Sequence, residues 1–194
     1  HHGGAWKDLP DAATIPADYV DQVGEITRTQ TIPALKRFVE GGGTVLAIGR
    51  ATALARYLDL PVSQPLALQP ARTFLVPGSL LRAAVDNTFP LGYGFEKEVD
   101  VFFDNSPVFQ LQPDGGRNGV RPFVWFASEM PLRSGWALGQ EQLQNMVAAV
   151  DVPLGSGHVV LFGPEITFRA QSHGTFRFLF NGIYYGTATE ARLH

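Results

Sequence analysis

The residues best placed to do chemistry follow the apolar run Thr44-Val-Leu-Ala-Ile-Gly49. This run is short and apolar on both faces, which indicates a buried parallel strand, and a helical pattern over residues 51–58 follows it directly. A sharp turn from such a strand into a helix is where many α/β hydrolases expose a nucleophile, in the pattern Gly-x-nucleophile-x-Gly. Here the nucleophile position is Ala51 and the last position is Ala53, and a methyl group cannot attack a substrate. The simpler interpretation is a plain strand-to-helix junction.

Metal and cofactor chemistry lack the residues they need. His158 is followed by Val-Val-Leu and His173 by Gly-Thr-Phe, so neither begins a His-x-x-Glu or His-Glu-x-x-His motif. The chain contains no cysteine, which removes thiol nucleophiles, disulfides and cysteine-ligated zinc together. The glycine pairs Gly92-Tyr-Gly94 and Gly155-Ser-Gly157 lack the third glycine of a dinucleotide-binding loop and are interpreted as turns. We therefore expect no metal site and no cofactor in this chain.

The elements that would position these residues alternate between helix and strand at both ends of the chain. A helix beginning near Thr31 ends at Gly41-Gly-Gly43, and the strand at 44–49 and the helix at 51–58 follow it. The end of the chain predicts strands at 146–152 and 158–162, joined by a tight turn at 154–157, and a helix at 173–185. The middle predicts short strands separated by turn residues, at 80–85, 99–103, 108–111 and 123–127. This order is typical of an α/β domain with an antiparallel β extension.

Composition excludes several classes of protein. The 194 residues carry a formal net charge of −3, without the basic excess of a nucleic-acid-binding protein. No run of about 18 apolar residues is present, so we expect no membrane-spanning helix and no membrane partner. Charged residues make up only 17% of the chain, which suggests that part of its surface is normally covered. His1-His-Gly-Gly4 has the composition of a purification-tag remnant.

The segment Phe162-Gly-Pro-Glu165, just past the last apolar strand, carries a family resemblance. In class I glutamine amidotransferase-like domains this strand ends in His-Pro-Glu and completes a Cys-His-Glu triad. The chain resembles that family with Ala51 at the cysteine position, Gly163 at the histidine position and Glu165 retained. The resemblance implies a catalytically degenerate domain, because the nucleophile and the base of the triad are both missing.

Six further strings resemble one branch of that family, the domain that follows the catalytic domain in large bacterial zinc carboxypeptidases. They are VPGSLLR (76–82), PLGYG (90–94), FFDNSPVF (102–109), SGWALG (134–139), VDVPLGSGHVVLFGPE (150–165) and RAQSHGTFRFLFN (169–181). The match covers about residues 19–185. It implies a flavodoxin-like, amidotransferase-like three-layer sandwich with a mostly parallel central sheet. It also implies a secreted or periplasmic parent whose zinc lies in a catalytic domain outside this chain, and that peptidase domain is the implied partner.

The resemblance has one departure, which decides the expected domain boundaries. Domains of this branch usually begin with another strand-helix-strand stretch before the position of Trp6, and that stretch is missing here. We therefore expect a tag remnant at 1–4, a single N-terminally truncated domain at 5–186 and a tail at 187–194. Self-association of the domain is left open.

Two groups of residues are candidates for binding a ligand. Arg50 follows a central strand, at the edge where ligands of open α/β sheets collect, and Glu165 is expected at the same edge. Arg169, Gln171 and His173 precede the last helix, where they could hold an anion with the backbone N–H groups. The alternative is structural: Ser172 or His173 caps the helix, and Arg169 pairs with Glu165.

Three functions are compatible with these observations. The leading hypothesis is a non-catalytic accessory domain of a zinc carboxypeptidase. The second is a small-molecule or glycan binding module that uses the carboxyl edge of the sheet. The third is an amidohydrolase with an unrecognised serine nucleophile, although none of the available serines lies in an elbow pattern: Ser79, Ser106, Ser134, Ser156 and Ser172.

Overall fold

The structure is a computed structural model that describes residues 14–22, 26–170, 173–186 and 188. The expected tag remnant, Gln171, Ser172 and the tail apart from Ala188 lie outside the described residues. None of the helices in the described ranges is long and apolar enough to cross a membrane.

Helices and strands have the following bounds in this part of the chain. The α-helices are α1 (Thr31–Glu40), α2 (Leu54–Tyr57) and α3 (Phe176–Tyr185). The strands are β1 (Thr44–Ile48), β2 (Val62–Ser63), β3 (Ser79–Val85), β4 (Glu98–Phe103), β5 (Gln110–Leu111), β6 (Arg121–Trp125), β7 (Leu132–Ser134), β8 (Val147–Leu154) and β9 (Gly157–Phe162). Short 3₁₀ turns occupy Gly49–Ala53, between β1 and α2, and His173–Thr175, before α3.

Seven of these strands form one mixed sheet in the order β1-β9-β8-β6-β3-β4, with β7 also pairing with β3. Only the β1–β9 pair is parallel, and every other pair in the sheet is antiparallel. The α/β class is therefore confirmed, but the expected mostly parallel sheet is wrong, and the layers do not form a clear three-layer sandwich. Parallel pairing requires a long crossover, usually helical, whereas a two-residue turn joins β8 to β9. Strands β3 to β8 likewise follow one another without an α-helix.

The parallel pair is held at its start by close backbone approaches. Helix α1 ends where the N–H groups of Gly41 and Gly42 bond back to the carbonyls of Arg37 and Val39. A side chain at Gly157, the first residue of β9, would collide with the carbonyl oxygens of Val39 and Gly43. Glycine at this position therefore lets the end of α1 and the beginnings of β1 and β9 meet.

Two hydrophobic layers cover the two faces of the sheet. On the face covered by α3, the rings of Phe123, Phe162 and Phe178 contact one another with centroid separations of 5.7 to 6.1 Å. On the opposite face, Val39 of α1 belongs to a cluster of aliphatic residues that includes Ala47 of β1 and Leu161 of β9. Each layer is an apolar core, so the strands are apolar on both sides, as the sequence predicted for β1 and β9.

In helix α3, two apolar residues that recur at helical spacing are not the ones buried. Phe180 and Ile183 stand at i and i+3, yet they are 55% and 52% exposed, whereas Phe178 and Gly182 are buried. Gly182 explains the rotation, because a Cβ there would press on the Leu46 side chain of β1. The helix thus lies directly on β1 along its small residue and leaves larger apolar side chains outside.

Replacing Phe178 with alanine should lower the free energy of unfolding by about 3–5 kcal/mol, because the substitution leaves a cavity among three aromatic rings. The matched control is Phe180→Ala on the same helix, which should cost less than about 1 kcal/mol because that ring is already half exposed. Urea unfolding followed by circular dichroism measures both values. Equal losses in the two variants would contradict the observed orientation of α3.

Candidate functional site

The carboxyl ends of β1 and β9 lie side by side, so the two segments singled out in the sequence meet at one edge of the sheet. Ile48 is in register with Phe162, and the chain leaves the two strands through Gly49 and Gly163. Gly49 has φ +57°, and its Cα is covered by the carboxyl group of Glu165, with which any side chain at Gly49 would collide. The turn between β1 and α2 and the carboxylate after β9 are therefore in direct contact.

Gly163 occupies a space that admits no side chain. The residue is buried, its N–H donates to the carbonyl of Ala148 over 2.8 Å, and a Cβ at this position would collide with the carbonyl oxygen of Pro107. A histidine at Gly163 would require a shift of the backbone on one of the two sides. In this packing the position cannot supply a general base.

The turn after β1 offers no nucleophile either. Ala51 is exposed, and the only hydroxyl in the turn belongs to Thr52, which is fully buried. Its Oγ1 donates to the carbonyl of Gly49 over 2.6 Å and accepts from Nε2 of Gln64 at 3.3 Å. Thr52 thus holds the turn in shape and does not face solvent.

Two serines of the amidohydrolase hypothesis, Ser79 and Ser106, form hydrogen bonds with the backbone. Ser79 is buried and exchanges two hydrogen bonds with the backbone of Trp136, and Ser106 accepts from the N–H of Asp104. No serine in the described ranges is hydrogen-bonded to a histidine, which is the arrangement that would activate it.

The anion-binding candidates in the described ranges, Arg50, Arg169 and His173, are all exposed. Arg50 is exposed, with no carboxylate within ion-pair distance among the described residues. The Arg169 guanidinium lies 5.0 Å from the centre of the Phe168 ring instead of pairing with Glu165. His173 is exposed against Phe176, and the buried residue at the start of α3 is Thr175, whose Oγ1 donates to the carbonyl of Ile166.

A cleft of about 280 Å³ opens beside β1, on the face of the sheet covered by α1. Its walls are almost entirely aliphatic, and two residues of different character, Arg28 and Tyr57, also line it. Ala51 lines the cleft, which therefore reaches the edge of the sheet where the candidate turn lies. The full lining comprises Ile26, Arg28, Ile32, Leu35, Val45, Leu46, Ala47, Ala51, Leu54 and Tyr57.

A buried polar cluster that the sequence analysis missed lies on the α3 face, near the hairpin between β8 and β9. Asp151 is only 3% exposed, and its carboxylate is 3.0 Å from Nδ1 of His158 and accepts from the hydroxyl of Tyr185 at 3.2 Å. Burial raises the pKa of Asp151, and the neighbouring His158 opposes that shift. Burial, followed by the charge of Asp151, raises the pKa of Tyr185 to about 12.

The signal for this cluster was present in the sequence. Asp151 is the one charged residue within the apolar strand VAAVDVPL, and a two-residue hairpin fixes the register of β8 with β9. In that register Pro153 is opposite His158, so Asp151 and His158 lie at diagonal positions on one face. A buried carboxylate needs hydrogen-bond partners, and the register supplies one of them.

Comparison with known proteins gives a likeness of fold and no family. No family model and no curated protein matches the sequence. The structure is similar to β-galactosidase from Bacillus circulans sp. alkalophilus, with a TM-score of 0.51 and 9% identity over 82% of this chain and 21% of that chain. A cytoplasmic protein from Salmonella typhimurium has a TM-score of 0.48 and 16% identity over 80% of this chain and 59% of that one.

A ThuA-like protein from Bacteroides uniformis has a TM-score of 0.48 and 11% identity over 82% of this chain and 64% of that one. The chain thus spans less than two thirds of the length of each of these three proteins.

Within the described residues, no group of three or more histidine, aspartate or glutamate side chains is arranged to hold a metal ion.

Gly163→Ala should lower the free energy of unfolding by about 3 kcal/mol or more, because the added methyl group must displace the backbone of Pro107. Gly174→Ala is the control, since a Cβ there meets no atom within 4 Å. Chemical denaturation of both variants measures the difference. A Gly163→Ala protein as stable as the control would show that the site is open to a side chain.

Alkaline pH should test the environment of Tyr185. Because its pKa is about 12 in the folded chain and near 10 when unfolded, the unfolded state loses this proton first. The contribution of Tyr185 is therefore complete below about pH 10 and decreases as the pH rises toward 12.

The stability gap between the wild-type protein and Tyr185→Phe should accordingly narrow between pH 10 and 12. Phe180→Leu, at a side chain of the same helix that is 55% exposed and has no titrating group, serves as the control for which the gap stays constant. Urea unfolding at each pH provides the measurement. A constant gap for Tyr185→Phe would contradict the raised pKa.

Proposed function

We propose that this chain is a catalytically inactive accessory domain of a larger bacterial zinc carboxypeptidase, secreted or periplasmic, in which it packs on the peptidase domain. The six matching strings and the Pro164-Glu165 pair after β9 support the parentage. The observation that best supports catalytic inactivity is the packing of Gly163 against Pro107, because this packing leaves no space for the side chain of a general base.

The chemistry of the triad family explains why a chain without the nucleophile and the base has no use for the third residue of the triad. An acyl transfer needs a nucleophile and a base within hydrogen-bond reach of each other. With Ala51 at one position and Gly163 at the other, the remaining Glu165 has no imidazole to orient. Its carboxyl group instead covers Gly49, so the former site is filled by a retained side chain.

The proposal includes a more specific fold assignment than the α/β class. We assign the domain to the flavodoxin-like, amidotransferase-like group, in which β1, β9 and the flanking helices would be the retained parallel part. The likeness to a segment of a β-galactosidase supports an accessory role, because there a similar fold forms about a fifth of a longer hydrolase chain. Zinc would be required only by the parent's catalytic domain.

Activity measurements test this proposal. The unmodified chain should turn over glutamine, ester and carboxypeptidase substrates no faster than buffer does. Saturable turnover that a single Ser→Ala substitution abolishes would overturn the accessory role and favour the amidohydrolase hypothesis.

The role within the longer parent has its own test. Removing this domain from an active parent should raise KM for long substrates and leave short ones nearly unchanged, which is the pattern of lost remote binding. A parent without metal-dependent carboxypeptidase activity would contradict the assignment.

A further inference from the structure

The cleft beside β1 has the shape of a binding site for a small apolar group. β1 is the edge strand of the sheet, and no described strand pairs with its outer side. On the α1 face of that edge, aliphatic side chains from three elements form the walls: Ile32 and Leu35 of α1, Val45 and Ala47 of β1, and Leu54 of α2. Such a surface favours aliphatic or aromatic matter over water.

The mouth of the cleft is held by a defined local structure. The Oγ1 of Thr27 accepts from the N–H groups of Gln30 and Thr31, and the Oγ1 of Thr31 accepts in return from the N–H of Thr27. These reciprocal bonds fix the entry to α1, which begins at Thr31. Arg28 lies within this bonded segment, so its backbone is anchored at the rim.

Two arginines lie beside Tyr57, which lines the cleft together with Arg28; Arg56 is not part of the lining but contacts the same ring. The guanidinium carbons of Arg28 and Arg56 lie 5.0 and 5.3 Å from the centre of the Tyr57 ring. Neither arginine forms an ion pair with a described acidic residue. Hydrogen bonding from Arg56, and next from Arg28, lowers the pKa of the Tyr57 phenol, which agrees with both guanidinium groups lying close to this side chain.

We propose that this cleft binds an amphipathic carboxylate, with the carboxylate between Arg28 and Arg56 and an apolar tail among the aliphatic walls. Guanidinium groups are well suited to carboxylates because their donors match the two oxygens. The volume of about 280 Å³ corresponds to about nine water-sized groups at roughly 30 Å³ each, enough for a tail of about seven carbons. The site goes beyond the proposed accessory role and requires no particular parent enzyme.

The same chemistry has two natural sources: a free medium-chain acid and the apolar C-terminal residue of a peptide. Both present one carboxylate next to an apolar group, and a polar sugar presents neither. Within the hypothesis of a small-molecule or glycan binding module, the cleft therefore favours apolar acids over glycans as ligands.

The experiment is a titration with straight-chain carboxylates from butanoate to octanoate, followed by calorimetry and by the shifts of backbone amide NMR signals. Affinity should rise about fourfold with each added methylene, and the shifted amides should belong to α1, β1 and α2. Octanamide, which has the same tail without the charge, should bind at least tenfold more weakly than octanoate. N-acetyl-leucyl-phenylalanine and its C-terminal amide form the second pair and distinguish the peptide source from the free acid.

Three variants localise the site. Arg28→Gln and Arg56→Gln should each weaken octanoate binding about fivefold and octanamide binding much less, because only the charged partner is lost. Ala51→Phe should fill the mouth of the cleft and abolish binding of both; its urea unfolding curve verifies that it is folded. Arg133→Gln, on β7 near the opposite side of the sheet, is the matched control and should bind as the wild type does.

Several results would overturn the proposal. They are the absence of binding by both acids, equal affinities of octanoate and octanamide, or undiminished binding by Ala51→Phe. A further contradicting result would come from light scattering. If the chain is a dimer that has to dissociate before octanoate binds, the occupant of the cleft is a second copy of the chain. None of these results bears on catalytic inactivity, which the turnover assays decide separately.

Discussion

Parallel backbone pairing between β1 and β9 is the interaction on which the rest of the structure depends. It joins two segments that are distant in the chain, in a register that runs from Thr44 opposite His158 to Ile48 opposite Phe162. Because the strands are parallel, the turns that follow both of them emerge at the same edge. The contact between Gly49 and Glu165, the closure of Gly163 and the position of the cleft all follow from this register.

Glycine makes this arrangement sterically possible at the crossing points where backbones meet. Gly157 admits the end of α1, Gly163 admits the carbonyl of Pro107, and Gly182 lets α3 lie on Leu46. Close approach at Gly163 also bears on the proposed function, since this packing excludes the side chain that the triad of the resembled family would need there. In the proposed accessory domain, tight packing and catalytic inactivity would therefore have one structural cause at this position.

The two ends of the parallel pair differ in chemistry. At the carboxyl end, Glu165 covers a glycine and the apolar cleft opens next to it, with Arg28 in its lining. Near the other end, Asp151 is buried with His158 and Tyr185, where its hydrogen bonds offset the cost of removing a carboxylate from water. One end thus presents cationic and apolar surface, and the other end contains a satisfied polar cluster beneath α3.

The sequence by itself determined the local features of this protein. Short-range patterns identified β1, the β8–β9 hairpin and the last helix, and the residue types at Ala51 and Gly163 led to the expectation that the triad chemistry is absent. Only the tertiary structure decided the rest: that the sheet is mostly antiparallel, that α3 buries Phe178 and Gly182, and that Asp151 meets His158 and Tyr185. The physical reason is that periodicity indicates which side chains avoid water. Strand pairing, helix rotation and cavities depend instead on long-range contacts between backbones, and those contacts form only where residues far away in the chain leave space for them.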